Sequence, residues 1–355
     1  KIGQMVIAGL EGYTMDDNTR TLIEKYRVSG FILFNRNVEN ANQLLRLIKS
    51  LKDTNAAIKN SIPLFISVDE EGGRVSRMPS ELKKLPSSSI LGQINDEALS
   101  YKIGQILAAQ LKIFGFNMNF APVADINTNP ENPVVGTRAY GSDAGEVSLM
   151  VAAAVSGIQS HPVSAVLKHF PGHGDTSTDT HYGAASVSHT KERLFSTELL
   201  PFIAGIQEGA DGVMTAHILT PEVPGEDVPA TLKPEILKDI LRNELGFDGL
   251  IITDALNMKA ITNHYSPDEA AVKAFLAGAD ILLMPENLDA AIYGLKKAYS
   301  DGLITAARLN ESVERILRIK QKRGLFSDIS REDPEKVLGC REHRELAEII
   351  TKYSK

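Results

Sequence analysis

Ala165-Val166-Leu167-Lys168-His169-Phe170-Pro171-Gly172-His173-Gly174-Asp175 passes from an unbroken apolar run into a dense polar cluster. The segment continues through Thr176 and Ser177 to Asp179 and His181, so three histidines, two aspartates and a lysine share one short stretch. The apolar run reads as a buried strand. Pro171, Gly172 and Gly174 stop a strand or helix from continuing, so the polar groups belong on a loop at the strand's end. Scaffolds with parallel sheets place their chemistry on such loops.

Apolar runs of strand length recur along the chain at Met5–Ala8, Gly30–Phe34, Leu64–Val68, Met118–Val123, Ala165–Phe170, Gly212–His217, Leu250–Asp254 and Ile281–Pro285. Their interiors are nearly continuous in Val, Ile, Leu, Met and Ala, as expected of strands covered on both faces. Helical patterns separate them. Leu99, Ile103, Ile106, Leu107 and Leu111 fall on one helix face behind a cap at Asn95 or Asp96. Pro234 opens another helix that Gly246 ends. Regular strand–helix alternation predicts an α/β fold, a (β/α)8 TIM-type barrel, unless one or two of the runs are buried helix turns. Leu309–Arg323 reads as an amphipathic helix with Val313, Ile316 and Leu317 inward, Asn310 as its cap and Gly324 at its end. Residues 1–326 then form the barrel. Residues 327–355 form a polar linker and a short C-terminal helical tail carrying Leu346, Ile349 and Ile350.

The chain has 355 residues and a net charge of −7, with no Lys/Arg-rich run. That balance argues against nucleic acid as a partner. Cys340 is the sole cysteine, so no internal disulfide forms. No run of about 18 apolar residues marks a transmembrane segment. The chain opens abruptly at Lys1 on an apolar strand, which predicts a trimmed N-terminus with any leader upstream. That start and the tail favour the bacterial cell envelope or exterior over the cytoplasm. A monomer is expected.

Several strand runs end in reactive groups: Asp69-Glu70-Glu71-Gly72-Gly73-Arg74, Asp125, Lys168 and His169, His217, and Thr253-Asp254. In a parallel barrel these ends meet on one rim. Together with Arg138 they suit a polyhydroxylated ligand, because carboxylates and cations grip vicinal hydroxyls through charge-assisted hydrogen bonds. The chemistry suggested is displacement at a sugar acetal carbon, with one carboxylate attacking and a second group protonating the leaving oxygen. Taken singly, each residue has a plainer reading. Asp254 can cap the next helix, Asp125 can organise the Asn127–Pro130 turn, Asp175 can order its own loop, and His217 can be a hydrogen-bonded core histidine. His169 and His173 are four apart, but Pro171 and Gly172 break the helix that would pair them as zinc ligands, so no metal is expected. The glycines lack a Gly-Lys-Ser/Thr ending, which speaks against a nucleotide. No cofactor is expected.

Six segments in chain order carry a family resemblance: Val68–Val75, Phe120–Asp125, Asn132–Arg138, Lys168–Asp175, Val213–His217 and Ile252–Met258. With them the chain resembles the family 3 glycoside hydrolases, in their β-N-acetylhexosaminidase branch. The resemblance implies a retaining exo-β-N-acetylglucosaminidase acting on peptidoglycan fragments or related glycans, with a small carbohydrate as partner. It implies that Asp254 is the nucleophile, and that His181 is the general acid/base with Asp179 as its partner. Asp69, Arg138, Lys168 and His169 would bind the terminal N-acetylglucosamine, with Arg74 and His173 in the same set. The sister β-glucosidase branch typically carries Ser-Asp-Trp at the nucleophile, where this chain has Thr253-Asp254-Ala255.

A histidine acid is physically sound, since imidazole titrates near neutrality and a neighbouring carboxylate favours and orients the imidazolium. Its glycine-flanked loop could close on bound substrate. A neutral base also repels a phosphate dianion less than a carboxylate does, which keeps phosphorolysis open. Cleavage of a different β-glycoside stays open too, as does an inactive barrel that only binds glycans. Departures from the family pattern are Glu70, where relatives often have Gln, and Ala139-Tyr140, where they often have Ser-Phe. With no Trp in the chain, sugar recognition rests on polar contacts and a few Tyr or Phe.

Overall fold

The computed structural model describes residues 1–176 and 185–327. All eight apolar runs become strands: β1 (Val6–Gly9), β2 (Gly30–Leu33), β3 (Phe65–Val68), β4 (Met118–Asn119), β5 (Ser164–Phe170), β6 (Gly212–Thr215), β7 (Leu250–Ile252) and β8 (Leu282–Leu283). Each pairs in parallel with the next, and β8 returns to β1 through Val6↔Leu282 and Ile7↔Leu283. A parallel bridge between Ile252 and Ile281 joins β7 to β8, so the eight-stranded sheet closes into the expected (β/α)8 barrel. The Met118–Val123 run is a strand for only its first two residues. Pro122 has no N–H to give the ladder, and pairing resumes as a bridge from Val123 to Lys168.

The principal helices are α1 (Asp17–Thr21, running on through Leu22–Tyr26), α2 (Ala41–Ala56), α3 (Glu97–Phe114), α4 (Ala144–Gln159), α5 (Leu200–Gln207), α6 (Glu235–Glu244), α7 (Pro267–Ala277), α8 (Leu288–Ser300) and α9 (Ala306–Lys322). Asp96 caps α3 by accepting from the Ala98 and Leu99 N–H groups, as one of the two sequence readings had it. Helices α3 and α4 pack so closely that a Cβ on Gly157 would stand 2.1 Å from the Tyr101 carbonyl oxygen. One cap differs from expectation. Thr305, not Asn310, caps α9 by accepting from the Arg308 N–H, because the helix starts a turn earlier. Asn310 instead accepts from Lys1 Nζ at 2.6 Å. The expected tail, beyond residue 327, lies outside the described residues. Among the described residues no helix is long and apolar enough to cross a membrane.

The two mouths of the barrel differ. At the N-terminal mouth the buried Asp280, two residues before β8, draws Arg242, Arg308 and Arg315 around one carboxylate. The same carboxylate accepts from Ser312 Oγ at 2.6 Å and from the Ile251 N–H at 3.0 Å. Removing it takes the carboxylate from Arg242 and one of the counter-charges from Arg308 and Arg315, and breaking such a buried cluster costs about 3–5 kcal/mol. Asp280→Ala is therefore expected to lower the urea midpoint strongly. Molecules that remain folded should keep their activity, because the polar rim lies at the opposite mouth.

Candidate active site

The strand ends bring Asp69, Glu71, Arg138, Lys168 and His169 together at the C-terminal mouth. Lys168, on β5, is 1% exposed, and its Nζ lies 2.6 Å from both Asp69 Oδ1 and Glu71 Oε1. Glu71 also receives a two-pronged bond from Arg138, Nε to Oε2 at 2.8 Å and Nη2 to Oε1 at 2.7 Å. Burial pushes Glu71 up, but the Lys168 and Arg138 charges outweigh it and hold the carboxyl far below its usual range. Burial likewise opposes the charge on Arg138, and Glu71 reverses that, raising its pKa. The result is a locked row of alternating charges running from the end of β3 to the loop after β4. Asp69, at its open end, keeps 19% of its side chain exposed.

His169 and His173 are held from beneath by Asp125. The fully buried Asp125 accepts from His169 Nδ1 at 2.7 Å through Oδ2, and from the His169 and His173 backbone N–H groups through Oδ1. Burial acts to raise this carboxyl, yet His169 beside it keeps the pKa low. Asp125 therefore holds the histidine loop, where the plainer reading had it ordering the Asn127–Pro130 turn. The His169 Nε2 sits 3.4 Å from Arg138 Nη2. His173 Nδ1 is committed to Thr176 Oγ1 at 2.7 Å, and burial lowers its pKa. The His169 and His173 rings stand 5.9 Å apart, edge to face, with each Nδ1 already engaged. Gly174 allows the loop to lie on its neighbour, since a Cβ there would meet the Ile126 carbonyl oxygen at 1.7 Å.

Asp254 follows β7, whose end is tied to β8 by the Leu283 N–H donating to Thr253 Oγ1 at 2.9 Å. Asp254 Oδ1 accepts from the next residue's N–H at 2.7 Å. Burial would raise its pKa, but His217, His169, that N–H and Lys168 together lower it, so the carboxylate is ionised. Arg74 donates through Nη2 to the Val134 and Val135 carbonyls at 2.6 and 3.2 Å, bracing the loop that presents Arg138. Asp175 reaches across loops, accepting from Thr128 Oγ1 at 3.0 Å and meeting His189 Nε2 at 3.2 Å. Tyr140, one of the departures from the family pattern, is buried, which pushes its hydroxyl up to about 12. Asp179 and His181 lie outside the described residues.

Sequence reasoning missed the part played by Glu71. The signal available was the spacing alone: Asp69 and Glu71 are two apart directly after β3, and both reach Lys168. Glu70, between them, turns inward and is 1% exposed, with Oε2 accepting from the Arg77 N–H at 2.6 Å.

The fold and this rim define a barrel whose charged groups are gathered at the mouth where such barrels do chemistry. Residues 1–319 match the glycosyl hydrolase family 3 N-terminal domain, and the chain belongs to that family. A beta-hexosaminidase of Nitrosomonas eutropha is 36% identical over 321 residues, covering 89% of this chain and 87% of that one. The beta-hexosaminidase A of Pseudoalteromonas piscicida is 34% identical over 337 residues, covering 87% of this chain but only 56% of the longer relative. Among solved structures, a glycoside hydrolase family 3 beta-N-acetylglucosaminidase from Paenibacillus sp. str. FPU-7 superposes with a TM-score of 0.91. It is 41% identical, over 99% of this chain and 67% of that one.

Burial raises Glu70 from an ordinary 4.5 to about 7. A carboxyl that holds its proton more tightly when folded contributes stability at low pH, and loses it as pH rises from about 4.5 through about 7. A difference of that size corresponds to about 3 kcal/mol. Glu70→Gln keeps an acceptor for the Arg77 N–H without the charge. Chemical denaturation across pH 4.5–8 should show the variant pulling ahead of the parent as pH rises. Parallel curves would show that Glu70 is not the titrating group.

Proposed function

We propose that this chain is a retaining exo-β-N-acetylglucosaminidase that releases terminal β-linked N-acetylglucosamine from peptidoglycan fragments or related glycans. The observation that carries the reading is the charge-locked row Asp69–Lys168–Glu71–Arg138, set with His169 on the same rim as an ionised Asp254. Asp69 and Lys168 offer an acceptor and a donor side by side, the pairing that vicinal hydroxyls need. Arg138 and His169 extend that grip. The beta-hexosaminidase relatives and the beta-N-acetylglucosaminidase neighbour support N-acetylglucosamine as the sugar.

In this reading Asp254 attacks the anomeric carbon while the glycosidic C–O bond breaks. His181, oriented by Asp179, gives its proton to the leaving oxygen. Water then enters, the same imidazole takes up its proton, and the ester bond to Asp254 is cleaved. The low pKa of Asp254 keeps the nucleophile ready without a separate base.

Turnover of p-nitrophenyl N-acetyl-β-D-glucosaminide should far exceed that of the β-glucoside. Asp254→Asn should lose at least about 10³-fold in kcat, the scale expected when a catalytic group is removed. Surviving activity in the variant would overturn the nucleophile assignment. Preference for the glucoside would overturn the sugar.

A further inference from the structure

His217 stands at the rim just past β6, 1% exposed, and the proposed reaction gives it no task. Its Nε2 lies 3.0 Å from the Ala255 carbonyl oxygen. A carbonyl only accepts, so Nε2 carries a hydrogen and donates it there. On the other side of the ring, Nδ1 lies 2.7 Å from Thr231 Oγ1. That hydroxyl is itself buried between the Ala216 carbonyl at 2.9 Å and Thr215 Oγ1 at 2.7 Å. The imidazole is therefore gripped on both edges and cannot turn without breaking a buried hydrogen bond.

The group it holds is the residue after Asp254. The peptide joining Ala255 to Leu256 is fixed at both ends. His217 donates to its carbonyl, and its N–H, on Leu256, donates to the Leu283 carbonyl of β8 at 2.9 Å. The preceding N–H, on Ala255, donates to Asp254 Oδ1 at 2.7 Å. His217 also helps, electrostatically, to keep the Asp254 carboxyl ionised.

We infer that His217 is the positioning residue of the Asp254 carboxylate: by clamping the Ala255 carbonyl it fixes the backbone whose N–H occupies Oδ1, so that Oδ2 is presented to the anomeric carbon. The inference rests on Asp254 being the nucleophile. A carboxylate free to rotate spends less time in line with the reacting carbon, and a misplacement of about 1 Å can cost about 10²-fold.

The test uses the intact chain with His217→Leu and His217→Gln. Gln can place its amide Nε2 near the imidazole Nε2, whereas Leu cannot donate. In His217→Leu, kcat on the p-nitrophenyl N-acetylglucosaminide should fall about 10²-fold. Inhibition by free N-acetylglucosamine should stay within about threefold of the parent, because the sugar-binding row is untouched. His217→Gln should recover at least about tenfold of that loss, and the acidic limb of the kcat/KM profile should move to higher pH in the Leu variant. Equal kcat in Leu and parent, or a Gln variant as poor as Leu, would overturn the inference. If His217→Leu does not fold, Thr231→Val carries the test. It frees one edge of the ring and should lower kcat with unchanged sugar inhibition, and parental kcat there would overturn the inference. Azide added to Asp254→Gly separates the two assignments. Formation of the α-glycosyl azide supports the nucleophile whatever His217 does, and its absence, or the β-anomer in its place, removes the premise instead.

Discussion

The Lys168 ammonium group is the point on which the rim depends. A lysine with almost no contact with water loses its hydration, a cost of several kcal/mol that close opposite charges offset. Here two carboxylates do so at hydrogen-bond distance, and one of them, Glu71, is shared with Arg138. The charges belong to the end of β3, the end of β5 and the loop after β4. Compensating one lysine therefore fixes three separate parts of the barrel mouth relative to one another. Removing any one member would leave the others buried with unbalanced charge, which is why the row behaves as a unit.

The same logic recurs at Asp125, and it explains how a loop rich in glycine can be a precise support. Backbone freedom at Gly172 and Gly174 lets the chain turn sharply, and one buried carboxylate then removes that freedom by taking two N–H groups and an imidazole. Elsewhere the barrel uses buried acids differently. Asp280, and Asp211 with Lys322 and Arg323, tie helices to strands at the N-terminal mouth. The two mouths thus differ, one bracing helices against strands and the other gathering the charged rim at the end where such barrels do chemistry.

Much of this was legible in the sequence, for identifiable reasons. A parallel barrel buries both faces of every strand, so its strands appear as unbroken apolar runs, and all eight could be located. Their ends were less certain, because a single Pro122 or a change of cap from Asn310 to Thr305 is decided by local geometry. Lys168, His169 and Asp69 could be named because charged residues at the end of an apolar run have few structural uses, whereas Arg138, on a loop, was named only together with them. Glu71, Asp125 and His217 are harder. Each acts by holding another polar group, and such a partner is invisible until the chain is folded. His217 in particular reads as a satisfied core histidine, which it also is; its bond to Ala255 and its charge effect on Asp254 are what relate it to the site.

Asp69, Glu70 and Glu71 show how far environment, not residue type, determines chemistry. Three consecutive acids leave one strand end; the outer two meet Lys168, and the middle one turns to the Arg77 N–H. Asp69 keeps part of its side chain open to solvent. Glu71 is enclosed by two cations, which hold it as an anion with almost no contact with water. Glu70 is enclosed as well but lacks so close a cation, and burial drives it toward the neutral acid, about 7. A hydrogen-bond acceptor is all that its position requires, since the Arg77 N–H is its close partner. An amide would serve that bond as well as a carboxyl, without a charge to desolvate. The local physics therefore favours an uncharged acceptor here, and burial pushes the Glu70 carboxyl toward its neutral form.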